Sequence, residues 1–373
     1  SNARGRPDSR EKMTSKSVRV VLLGPGLVGR AVCNLLKSSR AIHAQRHGLK
    51  FDVVSLIDSS GYLAESKGIA DETISSALAW KQSGKRMKDF QGGSAADMKS
   101  ALSALDIDPS ACVVDCTGTD ATTPFLVESL GKGAGVVTAN KKPMCCPFEM
   151  YKKMMETPTK IGFESTVGAG TPVVHTLNHI IASGDKIVKI QGALSGTLGY
   201  LMSGLQEGKA YSEVVKEAHK LGFTEPDPRD DLGGMDVARK ALILSRLWGS
   251  HFEMKDVKVE PLFPERFASL DIPDFMAALP ELDEEYAKQV QQAEKDGKAL
   301  RYVASIDEKS CVVGLKAVEK ESPLGRLSGS DNLVEFYTEI YGNKPVVVQG
   351  AGAGDAVTAV GIVGDLVRVA LAK

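Results

Sequence analysis

Four carboxylates and one arginine lie within eight residues, in a segment that two prolines stiffen. Residues 224–231 read Thr-Glu-Pro-Asp-Pro-Arg-Asp-Asp. Because proline restricts its own backbone and that of the residue before it, we expect a non-helical loop. Like charges held this close repel one another, so solubility alone is a weak reason for such a loop. A compact substrate with an ammonium group explains the pattern better than a solvated run of charges.

A carboxylate and a lysine follow this segment at helical spacing. Asp236 and Lys240 stand four residues apart, so their side chains share one face of a predicted helix. Such a pair is ordinarily a surface ion pair. The apolar residues of the same segment predict a largely buried helix: Val237, Ala241, Leu244 and Leu247. We therefore expect the pair to face a cleft, where a partly desolvated lysine has a lowered pKa and can exchange a proton with a hydroxyl group.

A glycine turn follows the first predicted strand, residues 18–23. Its residues have the spacing of the dinucleotide fingerprint: Gly24, Gly26, Leu27, Val28 and Gly29. Such glycines permit a tight turn and a close approach of the backbone to a pyrophosphate at the next helix N-terminus. A second predicted strand ends in Asp58, which we expect to bind the ribose hydroxyls and to favour NAD. Because Ser59, Ser60 and Lys67 leave room for a 2′-phosphate, NADP stays open as the cofactor.

Two further turns follow predicted strands. Lys141 comes after the fourth strand, at the edge where open parallel sheets bind ligands. Glu164 opens a turn whose carboxylate and carbonyls could hold a hard cation, although a plain strand-to-helix turn is the simpler interpretation. His175 and His179 are spaced for a metal, but no third ligand follows in a zinc-protease pattern.

The order of the predicted elements gives the fold class. Predicted strands at 18–23, 51–57, 111–115 and 136–138 alternate with helical segments, which indicates an α/β fold with a Rossmann-type parallel sheet and helices on both faces. Past residue 160, strands follow one another without crossover helices, which predicts an α+β second domain with antiparallel pairing. The predicted strands there cover 186–194, 300–306, 311–318, 333–341 and 345–349, and the predicted helices 197–206, 212–221 and 234–248.

These elements suggest three regions. Residues 1–17 are interpreted as an expression scar followed by a disordered segment. Residues 18–160 form the predicted NAD(P)-binding domain, and residues 161–349 form the predicted second domain. The apolar helix predicted at 355–371 follows a glycine loop and is expected to return to the first domain, so that 350–373 belong to it.

Composition excludes several classes of partner. Lys plus Arg total 46 and Asp plus Glu total 47, a balance that argues against nucleic acid or an anionic membrane. The longest weakly polar stretch, 356–364, is too short to cross a bilayer. Six cysteines make no disulfide framework in a chain of this length, so we expect free thiols in the cytoplasm, or in a plastid if the basic N-terminal segment is the remnant of a transit peptide.

Taken in order along the chain, these motifs resemble one family, homoserine dehydrogenase. The resemblance is carried by residues 24–29, 138–141, 164–170, 195–198, 222–232, 236–240, 329–332 and 350–354. It covers essentially residues 18–373 and is most specific in 222–240. It extends to eukaryotic single-function enzymes and to the dehydrogenase half of aspartokinase–homoserine dehydrogenases. It implies reversible NAD(P)-dependent conversion of L-homoserine to L-aspartate 4-semialdehyde, in threonine, methionine and isoleucine biosynthesis.

The resemblance implies a role for each residue near the substrate. Lys240 matches the group that exchanges a proton with the substrate oxygen. Asp236, Asp231 and Glu225 match substrate-binding positions, with Glu225 on the amino group. Lys141 matches a residue between cofactor and substrate.

Further positions match the family's cofactor and ion sites. Thr117 and Gly354 match cofactor contacts. The implied sodium ligands are Glu164 and the carbonyls of Val167, Ala169 and Thr171. The family also implies a homodimer built through the second domain, which makes this a catalytic and dimerisation domain.

Two other interpretations stay open. An enzyme like aspartate-semialdehyde dehydrogenase would need a nucleophilic cysteine beside a histidine. Four cysteines lie at predicted strand ends without a recognisable motif: Cys112, Cys116, Cys145 and Cys146. A catalytically silent dinucleotide-binding protein would be expected to lack Lys240 or Asp236, and both are present.

Overall fold

The computed structural model describes residues 15–97, 100, 101, 103, 105 and 107–372, whose strands form two sheets. The first sheet has the order β4-β3-β2-β1-β5-β6-β7. Its strands are β1 (Lys16–Leu23), β2 (Leu49–Asp58), β3 (Gly61–Ala64), β4 (Ser94–Ala95), β5 (Ala111–Asp115), β6 (Gly135–Thr138) and β7 (Ile161–Gly162). The helices among them are α1 (Leu27–Ser38), α2 (Arg40–His47), α3 (Asp71–Gln82), α4 (Thr123–Gly131), α5 (Lys141–Met144) and α6 (Phe148–Met154).

The centre of this sheet is parallel, which confirms the predicted α/β class. β1 pairs in parallel with β2 and with β5, and β6 joins β5 to β7 in the same sense. At the β4 edge the sheet is antiparallel, which the alternating pattern did not predict. Only two residues separate β2 from β3, too few for a crossover, so these strands must form a hairpin.

The second sheet has the order β13-β12-β8-β10-β11-β9. Its strands are β8 (Ile187–Ala193), β9 (Lys258–Val259), β10 (Lys298–Ile306), β11 (Cys311–Glu319), β12 (Asp331–Thr338) and β13 (Val346–Ala351). Antiparallel pairing is confirmed from β13 to β11, and β9 adds to β11 in parallel. The predicted strand 333–341 ends at Thr338, because the Thr338 hydroxyl and carbonyl accept N–H groups from the turn that follows.

The remaining helices are α7 (Val173–Ser183), α8 (Gly196–Gln206), α9 (Tyr211–Lys220), α10 (Arg229–Leu232), α11 (Met235–Trp248), α12 (Ile272–Ala278), α13 (Asp283–Lys295), α14 (Pro323–Arg326) and α15 (Asp355–Leu371). Helix α10 contradicts the expectation of a non-helical loop at 224–231. Pro228 precedes the first helical residue, where its missing N–H costs nothing, and the Asp227 carboxylate accepts the backbone N–H of Arg229.

Helix α15 packs against α1 and the first sheet, although it follows β13 of the second sheet. Val369 lies so near β6 that a Cβ on Gly135 would come within 2.6 Å of it. The Lys16 ammonium donates to the carbonyl of Ala370, and Lys16 pairs with β2. Strand β1 therefore begins at Lys16, two residues before the predicted boundary, and the part of the predicted N-terminal segment at 1–14 lies outside the described residues. In the portion of the chain that the structure describes, no helix combines the length and apolarity needed to cross a membrane.

Candidate active site

A cleft of about 870 Å³ opens at the carboxyl ends of β1, β5 and β6, where the first sheet faces helix α11. Both parts of the molecule line it, from the fingerprint helix α1 to the glycine loop before α15. The predicted residues among its walls are Val28, Thr117, Lys141, Ala169, Glu225, Asp231, Asp236, Lys240 and Gly354. Residues that lie far apart in the sequence thus meet in one cavity.

Glycine is suited to each of the three fingerprint positions for a different structural reason. Gly24 has φ +80°, and a Cβ there would lie 3.0 Å from the carbonyl group of Cys116. A Cβ on Gly29 would lie 2.4 Å from the carbonyl oxygen of Gly24, so this glycine lets α1 pack on its turn. Gly26 has no neighbour within 4 Å of its missing Cβ. The backbone at Gly26 is therefore open to a large ligand, as a bound pyrophosphate requires.

Lys240 is the most deeply buried charge of the cleft. Its side chain is 9% exposed, and its ammonium donates to the Leu194 carbonyl at 2.6 Å and to Asp236 Oδ2 at 2.8 Å. Burial lowers the pKa of Lys240, the Asp236 carboxylate opposes that effect, and the charge of Lys141 adds to it. The sequence prediction of a desolvated lysine on a buried helix agrees with this geometry.

Asp236 joins two lysines. Its Oδ1 lies 3.2 Å from Lys141 Nζ, while its other oxygen pairs with Lys240. Burial would raise the pKa of Asp236, but the charges of Lys240 and Lys141 hold that pKa well below its usual range. The Asp236 side chain remains 46% exposed, so it stays ionised and accessible from the cleft.

Lys141 is positioned by a buried amide at the start of α5. Asn140 accepts the N–H of Lys142 and donates its own amide to Asp115 and to the carbonyl of Thr119. Asp115 also accepts the N–H of Thr117 and the hydroxyl of Thr122. This network connects the carboxyl ends of β5 and β6 and fixes the turn from which Lys141 enters the cleft.

The acidic segment at 224–231 divides into two parts. Asp227 forms an ion pair with Arg229 at 2.7 Å, accepts the backbone N–H of the same residue, and does not line the cleft. Glu225, Asp230 and Asp231 line the cleft. Asp231 accepts the N–H of Glu225 at 2.8 Å, and burial together with the neighbouring carboxylates raises the pKa of Asp231. The negative charge on this wall is only partly neutralised, as binding of a cation requires.

Asp58 does not line the cleft. Its carboxylate pairs with Lys81 and accepts the N–H groups of Ser60, Gly61 and Met87. Its side chain is 9% exposed. The structure therefore holds Asp58 in the fold, and the predicted hydrogen bonds to a ribose would require these contacts to break.

The predicted sodium ligands lie in the turn that leads into α7. The two oxygens of Glu164 each accept one N–H at 2.8 Å, from Val174 and His175, so this carboxylate caps the helix. Burial, assisted by Asp365, raises the pKa of Glu164 to about 7. Ala169 has φ +54°, and the Thr171 carbonyl accepts the N–H of Val173. In the described residues no group of three His, Cys, Asp or Glu side chains is placed to hold a metal, and the sodium site stays a prediction.

Three contributors to the site were not predicted from the sequence. The Leu194 carbonyl accepts from Lys240, and a backbone acceptor has no signature in a side-chain pattern. Asp115 and Asn140 organise the turn before Lys141. Asp115 ends a buried strand just as Asp58 does, so the rule that singled out Asp58 applies equally to it.

The parallel sheet with its glycine fingerprint, joined to a cleft that holds a buried lysine paired with a carboxylate, defines a two-domain α/β dinucleotide-binding protein. Models of protein families agree: residues 24–165 match the NAD-binding domain of homoserine dehydrogenase, and residues 172–367 match its homoserine dehydrogenase domain.

Individual proteins are similar over nearly the whole chain. A homoserine dehydrogenase of Schizosaccharomyces pombe is 35% identical over 95% of this chain and 95% of its own length. A chloroplastic bifunctional aspartokinase/homoserine dehydrogenase of Zea mays is 37% identical over 97% of this chain, which spans 39% of that relative's length. The crystal structure of a Candida auris protein of unknown function has a TM-score of 0.83 at 32% identity, covering 95% of this chain and 99% of that one. The chain belongs to the homoserine dehydrogenase family.

Proposed function

We propose that the chain catalyses the reversible NAD(P)-dependent interconversion of L-homoserine and L-aspartate 4-semialdehyde. The observation that supports this most directly is the buried Lys240, whose ammonium is held by the Leu194 carbonyl and by Asp236. Oxidation of a primary alcohol requires removal of the hydroxyl proton, and an alcohol is too weak an acid without a positioned base.

The contacts of Lys240 fit a proton-transfer group. A neutral amine keeps two N–H donors and one lone pair. The Leu194 carbonyl and Asp236 occupy both donors, which leaves the lone pair for the substrate hydroxyl. After proton transfer the same two partners hold the ammonium. Burial favours the neutral form and Asp236 favours the charged form, so both protonation states are accessible.

The charges of the cleft orient the substrate. The amino group of homoserine would lie on the Glu225 and Asp231 wall, where negative charge is concentrated. Its hydroxyl group would face Lys240. Asp236, which pairs with both lysines, would help to hold that hydroxyl group in place. Lys141, which enters from the sheet side, stands between this position and the fingerprint.

NAD or NADP would bind along the fingerprint, where Gly26 leaves the backbone open and the Gly354 loop forms the opposite wall. When bound, the nicotinamide accepts or returns the hydride. Thr117 and Val28 line the path between these two walls. A sodium ion held by Glu164 and the carbonyls of Val167, Ala169 and Thr171 would stabilise the turn that leads into α7.

Cysteine chemistry of the aspartate-semialdehyde dehydrogenase type has little support. Burial raises the pKa of Cys145 to about 12 and that of Cys146 to about 11, which disfavours the thiolate. Burial also raises the pKa of Cys116, the cysteine that lines the cleft.

The deciding experiment measures initial rates with homoserine and each of NAD and NADP, before and after treatment with a thiol reagent. Homoserine-dependent reduction of the cofactor that survives the treatment is expected, and a requirement for a free thiol would favour the other enzyme.

A homodimer through the second sheet is part of the proposal. Val188 on β8 and Val347 on the edge strand β13 are large apolar side chains left 53% and 39% exposed. β13 is an edge strand, whereas β8 lies inside the sheet, so the sheet offers a second copy both an edge and a face. Sedimentation should show twice the mass of 39.7 kDa at micromolar concentration, and a monomer alone would refute the homodimer.

The six free cysteines fit the cytoplasm, or a plastid, as the compartment in which the protein works.

A further inference from the structure

A second buried cation lies behind the site, at the other end of the helix that carries Lys240. Arg246 is near the C-terminus of α11, and its side chain is fully buried. Its guanidinium donates to the carbonyls of Met144 and Cys146, at 3.0 and 2.7 Å, and to the carbonyl of Phe252. It also pairs with Glu253 at 2.9 Å. It does not line the cleft.

The carbonyls of Met144 and Cys146 identify the segment that Arg246 fixes. Met144 is the last residue of α5, the single-turn helix whose first residue is Lys141. A helix leaves its last carbonyls without internal partners, and Arg246 supplies a charged donor to that end. Asn140 caps the opposite end. A segment of only four helical residues is thus held from both sides, and one of the two anchors belongs to α11.

The same helix carries Asp236 and Lys240. Contacts between α11 and the α5 segment run in parallel order: Lys141 with Asp236, the Cys145 thiol with the carbonyl of Arg239, and Cys146 with Arg246. Glu253 extends the connection, because its second oxygen accepts the N–H of Phe148. Arg246 also stacks against Phe148 and Tyr151, with its guanidinium carbon 5.7 and 5.2 Å from their ring centres.

We propose that Arg246 is a positioning residue of the active site, which clamps the Lys141 segment to the helix of Asp236 and Lys240 and so sets the distance between Lys141 and Asp236. The planar fork of arginine reaches three carbonyls and a carboxylate at once, which an ammonium cannot do. Conversion to lysine therefore keeps the charge but releases the segment. This inference rests on the proposed function, because its readout is the titration of Lys240.

Release of the segment has a predictable sign. The charged groups that act on the pKa of Lys240 are Asp236, Lys141 and Asp231, of which Asp236 contacts it directly. The charge of Lys141 lowers the pKa of Lys240, and Lys141 also competes for the Asp236 carboxylate. When Lys141 moves away, both effects raise the pKa of Lys240. The alkaline rise of homoserine oxidation should then move to higher pH, which a merely structural role of Arg246 would not cause.

The chain offers a matched control. Arg301 on β10 is also buried, at 5% exposure, and donates to the carbonyls of Leu324, Gly325 and Leu327, in and just after α14, away from the cleft. Arg301→Lys should cost stability in the same way as Arg246→Lys without touching the Lys141 segment. Glu253→Gln is a milder second variant, which keeps the fold if Arg246→Lys does not and removes only the charged partner of Arg246.

The experiment measures kcat, KM for homoserine and the pH profile of oxidation, below the thermal midpoint of every variant. Arg246→Lys should lose tenfold or more in kcat/KM, in line with the cost of roughly ångström-scale misplacement, and its profile should shift to higher pH. Glu253→Gln should shift it in the same direction by less. Equal losses in Arg246→Lys and Arg301→Lys with unmoved profiles, or no change in Arg246→Lys, would overturn the proposal. If the profile of Lys240→Ala keeps its alkaline rise, the proton-transfer role itself is wrong, and this inference fails with it.

Discussion

Two carboxylates that the sequence analysis assigned to ligand binding have opposite situations in the structure. Asp58 and Asp236 each form an ion pair with a lysine. The Asp58 side chain is 9% exposed, whereas that of Asp236 is 46% exposed. Asp58 also accepts three backbone N–H groups, from Ser60, Gly61 and Met87, while Asp236 contacts only lysine side chains among the described hydrogen bonds and ion pairs.

The difference fits two distinct roles: backbone contacts hold Asp58 in the fold, and in the proposed function Asp236 serves the substrate. Backbone donors are fixed by the strands and turns that carry them, so we expect the contacts of Asp58 to persist when a cofactor binds. The lysine partners of Asp236 are themselves in the cleft, and a substrate can share or displace them. We therefore expect remaining acceptor capacity and exposure, rather than the presence of an ion pair, to mark the functional carboxylate.

The largest effect is expected for Lys240→Ala. Loss of the proton-transfer group should cut kcat by roughly a hundredfold or more. In the wild type, oxidation needs neutral Lys240, so its rate should rise with pH through the lowered pKa of that lysine, and the reductive rate should fall over the same range. Both pH dependences should vanish in the variant. Near-normal turnover with an unchanged profile would move the role to another group, with Lys141 the next candidate.

Asp236→Asn tests the exposed carboxylate of the comparison. Its charge raises the pKa of Lys240, so its removal should lower that pKa and move the alkaline rise of oxidation to lower pH, opposite to the shift expected for Arg246→Lys. Loss of a charge-assisted contact should also cost about tenfold in kcat/KM for homoserine. Steady-state rates across pH check both effects. A profile that stays in place would show that Asp236 is not coupled to the titrating group.

Glu225→Gln should affect binding more than turnover. Glu225 is exposed in the cleft. The proposed function places it beside the amino group of homoserine, away from the carbon that reacts. Its interaction is the same in the ground state and in the transition state, so KM for homoserine should rise severalfold while kcat changes little. A substrate analogue without the amino group is the matched probe and should not distinguish the variant from the wild type. A variant whose loss lies in kcat would place Glu225 at the reacting atoms instead.

Local patterns predicted the parts of the molecule that depend on local physics. The fingerprint glycines, the apolar period around Lys240 and the long apolar run of α15 each specify one element, and each element is present. The acidic segment was predicted as a non-helical loop because of its two prolines, yet its last residues form the start of α10 directly after Pro228. No element was predicted for α12 and α13. In α13 only Tyr286 and Ala293 are buried, so its apolar pattern is too weak to indicate a helix.

The orientation of Asp58 could not be predicted, because it depends on contacts that the sequence brings together only after folding. Lys81 lies on α3, and Met87 lies beyond that helix. The hairpin of β2 and β3 then supplies two more donors. Whether an aspartate at a strand end is free to contact a cofactor depends on the turn that follows it, and the spacing of the fingerprint says nothing about that turn.

The smallest catalytic effect is expected for Asp58→Asn. Removing one partner of this ion pair should cost about 1–3 kcal/mol of stability and lower the thermal midpoint. The ratio of kcat/KM with NAD to that with NADP should stay as in the wild type, because the carboxylate is occupied by Lys81 and the backbone rather than by a ribose. Lys81→Met breaks the same pair from the other side and should behave alike in both measurements. A loss confined to NAD in Asp58→Asn alone would mean that the carboxylate leaves Lys81 when the cofactor binds, and the two carboxylates would then differ in when they bind ligand rather than in whether they do.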